Sequence, residues 1–187
     1  MISSQRRHRY DKTVFSSEAV MIHVCSLARL HATVDATGAR HVVTILKHSD
    51  RVVLPNIVRE NHLVISVDDI AMPMDGYTAP DAGHVERLID FVGQWDRAAP
   101  MVVHCFAGIS RSTAGAYVAA CVLNPQRDEQ QIAWEIRRAS RTAQPNSRIV
   151  SIADRLLKRD GRMVRAVETI GPGHAAAEGD PFRLDIE

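Results

Sequence analysis

The chain predicts a single-domain α/β fold, a mostly parallel central sheet flanked by helices, and three observations predict it. Short apolar runs rich in Val and Ile alternate along the sequence with longer amphipathic runs of helical period. Glycine and proline punctuate the junctions, as at Gly38, Gly76, Pro80 and Asn124-Pro125. A length of 187 residues with 45% apolar content fits one domain with terminal extensions and a sizeable core.

Each element follows in order. Residues 1–17 are polar and basic (Gln5-Arg6-Arg7-His8-Arg9) and are expected to form a flexible arm. Residues 19–25 read as a strand, Ser26 is placed to cap a helix running to about residue 37, and Gly38 is a natural stop. A second buried strand spans 41–46, a loop fills 48–61, and a third strand spans 62–67. Asp81 caps a helix over 82–95, which leads to a strand at 101–104 and a helix at 112–123. Beyond Asn124-Pro125 come helices over 127–140 and 146–159. Gly-Pro-Gly and Ala-Ala-Ala from Gly171 onward predict a flexible tail over 171–187, leaving 18–170 as the folded domain.

Charge and cysteine content narrow the function classes. A net charge of +1 gives no global attraction to nucleic acid or to a membrane surface. Cys25, Cys105 and Cys121 are too few and too scattered for a disulfide framework or a zinc site. No stretch approaches a membrane span, and no apolar signal-peptide core opens the chain, so a cytoplasmic location is expected.

The chemistry concentrates in Val102-Val103-His104-Cys105-Phe106-Ala107-Gly108-Ile109-Ser110-Arg111-Ser112. An apolar strand feeds a tight loop that opens onto a helix N-terminus. Such a loop turns backbone N–H groups inward, and the helix dipole adds positive potential at its mouth. The result is an anion cradle with a thiol at its floor, surroundings that favour the thiolate. The backbone of Phe106, Ala107, Gly108, Ile109 and Ser110 would hold phosphate oxygens. Arg111 adds a planar fork for two of them, and Ser112 can hydrogen-bond the sulfur. A loop at the carboxyl end of a central strand also lies where open α/β sheets place their ligands.

This segment resembles the His-Cys-x5-Arg-Ser/Thr loop of the cysteine-dependent protein tyrosine and dual-specificity phosphatases, and the resemblance extends over roughly 20–160. It implies a phosphatase-like catalytic domain over 18–170 and hydrolysis of a phosphomonoester through a phosphocysteine. The substrate would be a phosphorylated protein or a small phosphomonoester, with no cofactor, no metal, no nucleic acid and no membrane. It also implies that His104 orients the loop through backbone hydrogen bonds rather than moving protons. The loop carries no lysine, which disfavours highly charged inositol phosphates.

A phosphocysteine route needs a general acid that later acts as base. Strand 62–67 ends in Asp68-Asp69, followed by loop chemistry with Pro73, Asp75, Gly76 and Pro80. If Leu63, Ile65 and Val67 point inward, Asp69 continues that phase and Asp68 faces away. The family's acid also aligns better with Asp69, so Asp69 is the candidate and Asp68 the alternative.

Other residues carry weaker signals. Gln144-Pro145-Asn146 resembles the Pro-Asn turn that abuts the cradle in dual-specificity phosphatases, although a plain helix cap explains Asn146 equally well. Arg137, Arg138 and Arg141 form a basic cluster, by default a solvated helix face. Cys25 and Cys121 lie in apolar runs and read as core, as do Trp95 and Trp134 at helical spacing. Asp180-Pro181 echoes the acid of the low-molecular-weight phosphatases, but the central position of the cysteine loop argues against that arrangement. Two other classes use related loops: rhodanese-like sulfurtransferases, which need no aspartate, and silent modules that bind phospho-ligands without turnover.

Overall fold

The computed structural model describes residues 21–48 and 52–186; the N-terminal arm expected over 1–17 lies outside them. Five strands form one sheet in the order β3-β2-β4-β1-β5. They are β1 (Met21–Ser26), β2 (His41–Ile45), β3 (His62–Ile65), β4 (Met101–Cys105) and β5 (Phe182–Asp185). The first four are parallel to their neighbours, and β5 runs antiparallel on the outer edge of β1. Among the described residues six α-helices accompany them: α1 (Leu30–Thr37), α2 (Ala82–Gly93), α3 (Arg111–Leu123), α4 (Glu129–Ala139), α5 (Ser147–Leu156) and α6 (Arg162–Ile170).

Strand periodicity divides the core in two. Ile22, Val24, Val43, Ile45, Ile65 and Val103 face one side, where α2 to α6 build the larger cluster. Cys25, Val42 and Val102 face the other, beneath α1 and the segment carrying Leu54 and Ile57. Burial pushes the Cys25 thiol up to about 11 and the Cys121 thiol to about 12, which keeps both as inert core residues.

Helix α3 is the central support. It is buried continuously from Arg111 to Cys121, as expected of a helix apolar on every face. Gly115 permits the close approach: a Cβ there would lie 2.8 Å from Ile45 Cδ1 and 3.0 Å from Val103 Cγ1. The helix N-terminus is thereby seated directly against the ends of β2 and β4. The predicted stops and caps are also present. Gly38 adopts φ 64° after α1, and the Asp81 side chain accepts from His84 N at the start of α2.

Two expectations need correction. The final segment is not a flexible tail: β5 pairs with β1 through Leu184 opposite Ile22 and Phe182 opposite Val24. Phe182, Leu184 and Ile186 are buried while Arg183 and Asp185 face solvent, so a short alternating strand completes the sheet edge. Between α5 and the former tail lies a further helix, α6, whose Met163, Ala166 and Ile170 pack inward. The buried Asp154 anchors its start by accepting from Gly161 N (2.7 Å) and Met163 N (2.8 Å). Trp95 is buried as expected, whereas Trp134 is 39% exposed on α4.

The docked strand is testable through Leu184, which is 3% exposed. Leu184→Ala should cost about 2–4 kcal/mol of stability, the usual loss for truncating a buried leucine. Denaturant unfolding measures it, and a neutral result would be that of an undocked tail.

Candidate active site

Cys105 is the last residue of β4 and is 1% exposed. Its Sγ lies 3.1 Å from Ser112 Oγ in the first turn of α3. Between them the loop is shaped from outside, through its carbonyls. Phe106 O accepts from Leu27 N (3.1 Å), and Ala107 O accepts from Gly179 N (2.9 Å). Ile109 O accepts from Gln144 N (3.0 Å), and Ser110 O from Asn146 N (3.2 Å) and Ala114 N (3.0 Å). In a planar trans peptide the N–H points opposite the C=O. The N–H groups of Ala107, Gly108, Ser110 and Arg111 are thus turned to the concave side, as an anion nest requires.

Gly108 can be nothing but glycine. Its φ is 73°, and a Cβ there would lie 2.8 Å from Ser26 N and 2.9 Å from the Cys25 carbonyl carbon. The loop therefore rests directly on the carboxyl end of β1.

Arg111 opens α3 and is 7% exposed. Its Nη1 donates to Val67 O (2.9 Å), which fixes the guanidinium from the β3 side. Its Nε is buried without a hydrogen-bond partner among the described residues, and lies 3.8 Å from Asp69 Oδ2. A buried, unpartnered guanidinium N–H at the mouth of an amide nest suits an oxyanion.

The two adjacent aspartates separate cleanly. Val67 is fully buried in the strand phase expected of it, and the next residue of that phase, Asp69, turns to the loop. Its Oδ1 accepts from Ser110 Oγ (2.7 Å) and from Asn146 Nδ2 (2.8 Å). Asp68 turns away, bound to Lys47 Nζ (2.7 Å) and accepting from Thr78 N (2.7 Å). The Lys47 ammonium, aided by the Thr78 N–H, holds the Asp68 carboxyl below the usual carboxylate range. A carboxylate kept ionised in this way is poorly suited to donate a proton.

Asn146 does two jobs at once. Its Oδ1 caps α5 by accepting from Arg148 N and Ile149 N (both 3.1 Å), which leaves Nδ2 for Asp69. From the next turn, Arg148 Nε donates to Pro80 O, tying down the far end of the segment that follows Asp69. Nothing in the sequence marked Arg148 for this.

His104 lies at the centre of a buried polar chain. Its Nδ1 is 3.4 Å from Cys105 O, and its Nε2 is 2.7 Å from Thr44 Oγ1, which is 2.8 Å from His62 Nε2. A carbonyl only accepts, so Nδ1 carries the proton and Nε2 accepts the Thr44 hydroxyl. Thr44 in turn accepts from His62. Parallel pairing places Thr44 beside His104 in register, which the sequence could not reveal. Burial lowers the His104 pKa to about 4, so the ring is neutral near pH 7.

Two cavities flank the loop. One, of about 500 Å³, is lined by Leu27, Leu46, Val52 and Phe106, with Lys47, Asp69 and Arg111 among its polar walls. The other, of about 660 Å³, lies beyond Asp69 and Ser110 toward Pro145, Asn146 and Glu168. Phe106 is 66% exposed, so its side chain reaches solvent at the wall of the first cavity. Arg137 is no solvated steering charge: its guanidinium donates to the carbonyls of Ala143, Ile170, Gly171 and Pro172.

The neutral His104 has a consequence for stability. Its folded pKa lies below the unfolded value of about 6.5. Below pH 6.5 the unfolded chain takes up a proton that the folded chain refuses. This residue alone should therefore remove up to about 3 kcal/mol of stability between pH 6.5 and 4, with no contribution above that window. Unfolding titrations at stepwise pH should show that slope, and His104→Gln should flatten its share of it.

Residues 73–151 match the family model described as protein-tyrosine phosphatase; the matched segment holds Cys105, Arg111, Ser112 and Asn146 and begins just after Asp69. No curated protein matches the sequence. Among solved structures, human DUSP28 is similar at 18% identity with a TM-score of 0.58, over 74% of this chain and 88% of its own. DUSP15 is similar at 20% identity with a TM-score of 0.57, over 79% and 90%. The PTP-2 phosphatase of Cydia pomonella is similar at 20% identity with a TM-score of 0.53, over 71% and 83%. Among the described residues no helix is long and apolar enough to cross a membrane. Residues 73–151 are thus similar to the protein-tyrosine phosphatases, and the chain shares the fold of the dual-specificity phosphatases DUSP15 and DUSP28.

Proposed function

We propose that the chain hydrolyses phosphomonoesters with Cys105 as nucleophile and Asp69 as general acid and base. The observation that carries this reading is the meeting of Asp69, Ser110, Asn146 and Arg111 at the rim of the nest above Cys105. The phosphoryl group would lie against the inward N–H groups of the loop and the Arg111 guanidinium. The Cys105 thiolate attacks phosphorus, the P–O bond to the leaving group breaks, and Asp69 delivers a proton to the departing oxygen. Asp69, now ionised, takes a proton from the attacking water. The water oxygen bonds to phosphorus as the S–P bond breaks, phosphate leaves, and Ser112 steadies the thiolate that is regenerated.

Sulfur transfer and silent phospho-ligand binding have no use for a carboxylate held in this place. The substrate would be a phosphorylated protein or a small phosphomonoester, and a reducing cytoplasm would keep the nucleophile free. His104 acts as a support for the Cys105 carbonyl, and Asn146 as a support for Asp69.

Turnover of an aryl phosphate in metal-free buffer with reductant tests the reading directly. Cys105→Ser should abolish it while the fold and inorganic phosphate binding persist, because an alcohol there is not ionised near neutral pH. Residual turnover in the pure variant would eliminate the covalent route.

The acid assignment rests on leaving-group dependence. Asp69→Asn should slow alkyl and phenyl phosphates by roughly 100–10,000-fold, the usual contribution of a positioned acid, and spare substrates whose leaving groups are already acidic. Asp68→Asn should show no such dependence. Steady-state rates on both substrate types decide between the two residues, with circular dichroism verifying that each variant is folded.

A further inference from the structure

We propose that Glu178 and Gly179, in the segment joining α6 to β5, are positioning residues for the phosphate loop. This rests on the phosphatase reading above and adds to it a part of the chain that lies outside the matched family segment.

The path of the joining segment supports the assignment. It leaves α6 at Gly171, where φ is 66°, and crosses the turn between α4 and α5. There His174 N donates to Arg141 O (2.9 Å), and Gly173 lies so close to the Thr142 carbonyl that a Cβ has no room. Arg137 stitches the start of the segment to the same turn through the carbonyls of Gly171, Pro172 and Ala143. That turn also supplies the Gln144 N–H that holds Ile109 O. The first part of the segment, 171–174, is therefore fixed to the turn that holds Ile109 O.

Its far end meets the loop at two points. Gly179 N donates to Ala107 O, which turns the N–H of Gly108 inward. A Cβ at Gly179 would lie 3.1 Å from Gly108 O, 3.3 Å from Ile109 Cγ1 and 3.0 Å from Thr142 Oγ1. The close approach favours glycine, since a Cβ would fit only if its neighbours shifted by a few tenths of an ångström. The Glu178 carboxylate accepts from Ser26 Oγ (2.6 Å), and Ser26 is fully buried at the end of β1. The Ser26 backbone is the wall against which Gly108 rests, and Leu27 beside it holds Phe106 O. Residues 106–109 are thus gripped between the end of β1 and the 178–179 pair, with Glu178 locking the two sides together.

The test uses the whole chain, with inorganic phosphate binding by calorimetry, aryl phosphate turnover and thermal unfolding. Glu178→Ala should weaken phosphate binding and lower kcat by about tenfold each, as expected for losing a charge-assisted hydrogen bond that sets the nest. Glu178→Gln keeps an oxygen acceptor for Ser26 and should stay within about twofold of the parent. Ser26→Ala removes the same bond together with the one its Oγ accepts from Arg29 N (3.2 Å), so it should lose at least as much as Glu178→Ala, and the double variant should lose little more than Ser26→Ala alone. Gly179→Ala, which keeps its N–H but presses on Gly108 O, should also weaken phosphate binding.

The inference is overturned if Glu178→Ala and Ser26→Ala lower only the melting temperature and leave phosphate affinity and kcat intact. It is equally overturned if Glu178→Gln is as impaired as Glu178→Ala, since charge rather than the bond to Ser26 would then be the cause. A parent protein that neither binds phosphate nor turns over an aryl phosphate would instead remove the phosphatase reading on which the inference stands.

Discussion

The site depends on where the carbonyls of residues 106–110 point. Peptide planarity allows a loop amide to face an anion only if its carbonyl faces away, and a carbonyl facing away must find a donor of its own. Here the donors come from the end of β1, the turn before α5, the first turn of α3 and the segment before β5. No two of these are adjacent in sequence except through the sheet. The nest is thus a property of the whole domain, and the Cys-x5-Arg spacing alone would not produce it.

A second constraint separates the chemistry of two neighbouring carboxylates. Asp68 and Asp69 lie just beyond β3 on the wall of one cavity, yet each is held by different partners. Lys47 neutralises Asp68 on the flank, while Asp69 meets only neutral donors, Ser110 and Asn146, with the Arg111 guanidinium at 3.8 Å. The donor amide of Asn146 is aimed by its capping role, because Oδ1 is committed to the N-terminus of α5. A helix cap and an acid support are here one side chain, which is why the two readings of Asn146 in the sequence need not compete.

Much of this was legible beforehand, for identifiable reasons. The strands, the caps at Gly38 and Asp81, the loop and the phase of Asp69 rest on short-range patterns: period-two burial, turn chemistry and a rare residue constellation. The misses have physical causes too. Met163, Ala166, Val167 and Ile170 carry a helical apolar spacing, but Asp160-Gly161 breaks the pattern after α5, and no element was expected over 160–170. Phe182, Leu184 and Ile186 alternate as a strand should, yet the glycines and alanines before them looked like a tail. Gly173 and Gly179 are there for close backbone approach rather than for freedom, a distinction visible only once the neighbouring chain is in place. The pairing of Thr44 with His104 belongs to sheet register, which sequence alone does not specify for parallel strands.

The placement of β5 beside β1 has a consequence for the order in which the molecule assembles. The outer edge of the sheet closes by joining two strands from opposite ends of the described chain, a contact of high sequence separation whose loop-closure entropy must be met before it forms. On a ribosome, β1 to β4 and the helices that cover them emerge first, while the partner for the Ala107 carbonyl is still unsynthesised. A nascent chain can therefore bury its core with the nucleophile already in place before the loop around it is fully set. Synthesis from the amino end thus makes Gly179, the donor to that carbonyl, after every other donor to the loop.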